Sequence, residues 1–200
     1  MKNNNLKGII GNTDIYLLDQ ILKSRYNEDD KILDVGCGKG RNIQWFYDNG
    51  FDVYGIDKNE KPINAVKKTF SKLSSNFSVS EVENLPFKDE YFDHIICNAV
   101  LHFAKNTDHF LTMFSEMTRV LKAKGTLFIR MTSNIGIEDK IKLISEGVYL
   151  LPDTSHRFLL NKQLLEQIMK THNLTSLELL KTVNVNDLRC MTTLVLQKQK

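Results

Sequence analysis

The chain has 200 residues and a mass of 23.1 kDa; 42% of the residues are hydrophobic and 26% charged. That suffices for one buried core, or one core with a small lid, and excludes a mainly disordered chain, which needs fewer apolar residues and a larger charge imbalance. The net charge of +3, from 27 basic and 24 acidic side chains, is too small and too scattered to imply a nucleic-acid partner by itself.

Residues 1–30 precede the first strand pattern and carry a helix near Thr13–Leu22. Ile32-Leu33-Asp34-Val35 is a short apolar run ending in a glycine cluster, which reads as a buried strand entering a tight turn. Asn42–Tyr47 opens a helix that stops near Asn49-Gly50, and Val53–Ile56 is a second buried strand closed by Asp57. Ile63, Val66, Lys67 and Phe70 follow at helical spacing, with Pro62 near the helix start, where its missing N–H costs little. A weaker strand lies at Phe77–Val82 and another at Phe92–Cys97. Phe110, Met113, Phe114, Met117, Val120 and Leu121 recur at three- and four-residue steps, an amphipathic helix that ends before Gly125 and the strand Thr126–Ile129. Ser133–Leu160 stands outside the alternation. A helix near Lys162–Lys170 and strands at Ser176–Leu180 and Thr192–Leu196 complete the chain.

Alternating strands and helices imply an α/β fold of three α-β-α layers around a mostly parallel sheet. No helical pattern separates the last two strands, so they are expected to pair antiparallel. The whole chain, 1–200, reads as a single domain, and the C-terminal ends of its strands should build the ligand crevice. Cys37, Cys97 and Cys190 are odd in number and far apart, which suits a reducing cytoplasm and argues against a disulfide framework or a structural zinc. His94, His109 and His172 share no metal-ligand spacing, so no metal is expected. No signal-peptide-like run follows the start, and no stretch of about 18 apolar residues is available to cross a membrane.

The turn Asp34-Val35-Gly36-Cys37-Gly38-Lys39-Gly40-Arg41-Asn42 joins the first strand to the first helix. Glycines at alternate positions permit positive φ and let backbone approach a ligand closely. The spacing is G-x-G-x-G, whereas the dinucleotide fingerprint is G-x-G-x-x-G. Asp34 beside the turn would repel a pyrophosphate but pair with an ammonium. Both features disfavour a nicotinamide-dependent oxidoreductase. Asp57, at the end of the second strand, is placed to accept hydrogen bonds from both hydroxyls of a ribose, against the plainer use of Asp as a helix N-cap.

Ile32 through Asn42 and Val53-Tyr54-Gly55-Ile56-Asp57 resemble the first and second motifs of class I S-adenosylmethionine-dependent methyltransferases. Glu81 through Phe87 resembles the third motif, Phe92 through His102 the fourth strand, and Arg119 through Gly125 the turn into the fifth. The resemblance implies a Rossmann-like, seven-stranded sheet with an antiparallel C-terminal strand, S-adenosylmethionine as cofactor, and a set of positions that hold it. The Gly36, Cys37, Gly38 and Gly40 turn, with Asn42, would pack on the methionine part, with Asp34 near its ammonium. Asp57 would hold the ribose, Lys58 flank the adenine, and Glu81 with the Val82 N–H receive the adenine edge. Asn98 and Ala99 would face the sulfonium. Glu81 stands where Asp is commoner, and Ala123-Lys124 where Pro-Gly is usual. Gly-Lys-Gly-Arg-Asn followed by Asn49–Val53 also resembles, weakly, the tellurite-resistance methyltransferases.

An activated sulfonium needs alignment more than a catalytic dyad. His102, just beyond the fourth strand, is the candidate base or acceptor-positioning residue, and His156 with Arg157 the candidate acceptor contacts; Arg130 and Arg189 are weaker versions of the same idea. Segments 1–30 and 133–160 are expected to cover the acceptor site. Asn98-Ala99-Val100-Leu101 replaces the Asp/Asn-Pro-Pro-aromatic motif of base-amine methylating enzymes, and no basic domain accompanies it. The expected acceptor is therefore a small molecule. The alternative is a cofactor-binding protein without transferase activity.

Overall fold

The computed structural model describes residues 6–200; the first five residues of the N-terminal segment lie outside the described part. The segment forms two helices, α1 (Leu6–Ile10) and α2 (Ile15–Leu22), and the Asp14 carboxylate caps α2 by accepting from the Tyr16 N–H at 3.0 Å. The alternation then follows: β1 (Lys31–Val35), α3 (Gln44–Asp48), β2 (Asp52–Asp57), α4 (Glu60–Thr69), β3 (Phe77–Val79), β4 (Phe92–Asn98), α5 (Thr107–Val120) and β5 (Leu121–Ser133). Beyond it come β6 (Lys142–Ser145), β7 (Val148–Leu150), β8 (His156–Phe158), α6 (Lys162–Thr171), β9 (Leu174–Ser176), β10 (Lys181–Val185) and β11 (Arg189–Lys198).

The central sheet runs β10-β11-β5-β4-β1-β2-β3, a seven-strand path, and β9 adds an eighth strand against the far end of β11. Pairing is parallel from β3 to β5 and antiparallel from β5 to β11 and on to β9 and β10. The chain moves outward from β1 to β3, then restarts on the other side of β1 with β4. The strand order reverses there, and that reversal opens a crevice at the carboxyl ends of β1 and β4.

Strand periodicity divides the core. Leu33, Val35, Ile95, Cys97, Leu127 and Ile129 face α5 and α6, while Ile32, Val53, Ile96, Phe128 and Val195 pack with Leu17, Phe46, Ile63 and Val66. Trp45 and Tyr47 join that second layer, as the helical pattern implied. Gly125 is needed for packing: a Cβ there would lie 2.8 Å from the Asp93 carbonyl oxygen. Lys124, in the place of the usual glycine, takes φ +64°, which glycine adopts without strain.

Two regions differ from the sequence reading. The strand expected at Ser176–Leu180 lies earlier, as β9 at Leu174–Ser176, and Lys181–Met191, read as a connection, supplies β10 and the start of β11. Asn186 and Asp187 turn this hairpin at positive φ, a role that Asn and Asp tolerate but signal less strongly than Asn-Gly. Ser133–Leu160, which shows no helical or strand period, holds the three-stranded antiparallel sheet β6-β7-β8. Phe158 anchors that sheet by stacking on Phe110 of α5, with ring centroids 4.8 Å apart. Gly147, φ +81°, fits beneath it because a Cβ would come within 2.3 Å of the Phe158 ring.

Candidate active site

A cleft of about 280 Å³ occupies the predicted crevice, lined by Gly36 after β1, Asp57 at the end of β2, Glu81 and Val82 after β3, Ala99 after β4, and residues of the α5 side. The three turn glycines serve different ends. All have positive φ, but a Cβ on Gly36 would lie 2.4 Å from Val100 and one on Gly40 would lie 2.4 Å from Phe70. Nothing lies within 4 Å of a Cβ on Gly38, so φ alone demands glycine there. Gly36 thus lets the turn tuck under Val100 at the cleft wall, and Gly40 lets it sit on α4. The Asp57 carboxylate is fixed by backbone donors, the Gly38 N–H at 3.1 Å to Oδ2 and the Asn59 N–H at 2.8 Å to Oδ1.

Of the residues singled out by sequence, Gly36, Asp57, Lys58, Glu81, Val82 and Ala99 line this cleft. Asp34 and Asn98 are buried at the ends of β1 and β4, and Asp34 Oδ2 and both side-chain polar atoms of Asn98 have no hydrogen-bond partner. Burial pushes the Asp34 carboxyl up to about 7; the Arg41 charge opposes this and Asp57 reinforces it. Ala99 holds φ +63°, a left-handed conformation that costs a non-glycine residue roughly 1–2 kcal/mol, while its N–H donates to the Arg130 carbonyl at 2.8 Å.

Cys37, Gly40 and Asn42 have structural partners instead. The Cys37 side chain turns into the core against Gly55, and its N–H bonds the Ile56 carbonyl at 2.8 Å. Asn42 Oδ1 accepts the Asp14 N–H at 3.1 Å, tying the start of α2 to the glycine turn. Arg130 completes the tie, donating to Asp14 Oδ2 at 3.3 Å with its guanidinium 5.0 Å from the Tyr16 ring centre. Tyr16 therefore serves that junction, and Tyr26 packs edge-on against Phe46 and His94.

Sequence reasoning missed the α5 side of the cleft. His109, assigned by default to a surface or structural role, lines the cleft and bonds the Glu83 carboxylate through Nε2, while its Nδ1 accepts the Lys105 N–H at 3.0 Å. Only Asn106, whose side chain caps α5 by accepting the His109 N–H at 2.8 Å, hinted at where this helix begins. His94 and His172 are structural, bonded to Thr126 and Thr118 at 2.7 and 3.0 Å. No group of three or more His, Cys, Asp and Glu residues among those described is arranged to hold a metal.

Comparison with known proteins settles the family. Residues 33–129 match a profile described as a methyltransferase domain. A fission-yeast protein named as an uncharacterized methyltransferase, C977.03 of Schizosaccharomyces pombe, is 30% identical over 106 residues, 52% of this chain and 72% of that protein. The chain belongs to the methyltransferases. Its relative YodH, named as an uncharacterized methyltransferase of Bacillus subtilis, is 32% identical over 122 residues, 60% of this chain but 48% of YodH, so the chain spans about half of that relative's length. The fold matches a solved SAM-dependent methyltransferase of Methanosarcina mazei, with a TM-score of 0.74 at 20% identity, covering 90% of this chain and 97% of that one.

The residues at this site fit the cofactor that the resemblance of the motifs implies. S-adenosylmethionine presents an ammonium, a ribose diol and a sulfonium. The chain offers a partnerless buried acceptor, Asp34 Oδ2, and a carboxylate, Asp57, held in place by two N–H groups. His102 is buried with Nδ1 unpartnered, and burial, with the charges of Arg157 and Arg189, pushes its pKa down to about 4. It is a neutral imidazole and a weak base. Arg157 lies over the ring of Phe103, which lines the cleft, at 5.0 Å, whereas the neighbouring His156 side chain is exposed.

Proposed function

We propose that the chain transfers the methyl group of S-adenosylmethionine, by in-line displacement, to a small-molecule acceptor in the cytoplasm, as a single domain in which 133–160 and the described part of the N-terminal segment, 6–30, cover the acceptor side. The observation that carries this reading is the Asp57 carboxylate, fixed by Gly38 and Asn59 at the cleft beside the buried, partnerless Asp34. In this reading Asp34 meets the ammonium, Asp57 accepts from both ribose hydroxyls, Lys58 flanks the adenine, and Glu81 with the Val82 N–H reads its edge. Asn98 and Ala99 border the sulfonium, and the backbone of the Gly36–Gly40 turn packs on the methionine part.

Bound there, the cofactor supplies an already activated methyl on a positively charged sulfur. The protein's own tasks are then alignment and exclusion of water. The neutral His102 positions the acceptor, and takes a proton only from one that is itself acidic. A small acceptor is supported by the modest size of the cleft and by the scattered charge of the chain. Among the described residues, no helix is long and apolar enough to cross a membrane.

Calorimetry tests the binding half of this reading: S-adenosylmethionine should bind at about micromolar concentration, and absence of binding to the unaltered chain would end it. Release of S-adenosylhomocysteine across a panel of acceptors tests the transfer half, because a pure cofactor-binding protein releases none.

A further inference from the structure

The buried polar atoms without partners, among the described residues, are Asp34 Oδ2, Asn98 Oδ1 and Nδ2, His102 Nδ1 and Arg130 Nε. All belong to the carboxyl ends of β1, β4 and β5 or to the turn just after β4. In the reading above Asp34 meets the cofactor's ammonium and Asn98 borders its sulfonium; His102 has no part in holding the cofactor, and the charges of Arg157 and Arg189 act on it. Arg189 pairs with Asp153 at 3.2 Å, but Arg157 has no carboxylate partner among the described residues and donates only to the adjacent His156 carbonyl at 2.8 Å. Arg157 is a half-buried residue whose guanidinium lies over the ring of Phe103, itself 58% exposed and a residue of the cleft lining. A planar fork of donors with no carboxylate at ion-pair distance, the Asp153 carboxylate that feels its charge being paired to Arg189, is matched by a carboxylate or a similar oxyanion far better than by a neutral group.

We propose that the methyl acceptor carries an anionic oxygen group, a carboxylate or comparable oxyanion, held by Arg157 against Phe103 beside His102. This rests on the methyltransferase reading and adds the acceptor's chemical class. It also accounts for a weakly basic histidine at the site. An acceptor delivered as an anion by a guanidinium, and attacking through an oxyanion, needs no proton removed from it.

The test is calorimetry on the chain saturated with S-adenosylhomocysteine, titrated with matched pairs: benzoate against benzamide, and 4-hydroxybenzoate against 4-hydroxybenzamide. Inorganic phosphate serves as the free-oxyanion probe. At least one anion should bind, and a carboxylate should exceed its amide by about tenfold. That preference should vanish in Arg157→Gln and survive in part in Arg157→Lys, with S-adenosylhomocysteine affinity unchanged to within about twofold in both. Phosphate binding as tightly as the carboxylates would identify an inorganic oxyanion as the better mimic. No anion binding, equal binding of acid and amide, or a preference that persists in Arg157→Gln would overturn the proposal. Failure of S-adenosylhomocysteine to bind the unaltered chain would instead overturn the methyltransferase reading, and this proposal with it.

Discussion

The β1–β3 half of the crevice and the half capped by β6–β8 are built on opposite principles. In the first, backbone does most of the work: a turn of glycines at positive φ, N–H groups that fix Asp57, and strand ends whose positions follow from the parallel register. In the second, side chains from distant stretches meet: Phe158 on Phe110, Arg157 on Phe103, and Asp14 with Arg130, 116 residues apart in sequence. On the function proposed above, the backbone half serves the cofactor and the side-chain half the acceptor, whose contacts can change without disturbing the sheet.

Substitutions should separate the halves. Asp57→Ala removes a carboxylate that makes charge-assisted hydrogen bonds of about 1.5–3 kcal/mol each, so cofactor affinity measured by calorimetry should fall about 10² to 10⁴-fold. Phe158→Ala opens a cavity beneath the β6–β8 sheet and should cost about 3–5 kcal/mol of stability in denaturant melts. Its S-adenosylhomocysteine affinity should stay within about threefold, and a larger loss would show that the halves are not separable. Asp14→Ala removes the α2 cap and the partner of Arg130, for about 0.5–2 kcal/mol in the same melts.

A further effect is one of pH. With its folded pKa raised to about 7, Asp34 holds a proton in the folded chain between roughly pH 4 and pH 7 that the unfolded chain has released, so its contribution to stability falls as pH rises through that window. A bound ammonium favours the ionised form, so S-adenosylhomocysteine binding at pH 6 should release a proton, and affinity should rise with pH up to about 7 and then level off. Calorimetry at pH 6 in buffers of different ionisation enthalpy measures that proton, and Asp34→Asn should abolish it.

The first half was largely legible. Apolar runs ending in Gly36 or Asp57 and the helical spacing of Ile63, Val66 and Phe70 are local patterns, and local patterns survive in one dimension. The second half was not. Residues 133–160 carry no strong period, because β6 is exposed along its length and β7 is only half-buried, so no alternation marks them. His109 gave no sign of its partner Glu83, which lies 26 residues away.

The amino-acid sequence by itself therefore determined the order of strands and helices from β1 to β5, the glycine turn and the two acids beside it, because backbone conformation and strand burial are set by near neighbours. The tertiary structure alone decided that Cys37 turns inward, that Asn42 and Arg130 fasten α2 through Asp14, and that Arg157 reaches Phe103. Those outcomes depend on which distant side chains the packed sheet brings within a few ångströms, and spacing along the chain does not encode that.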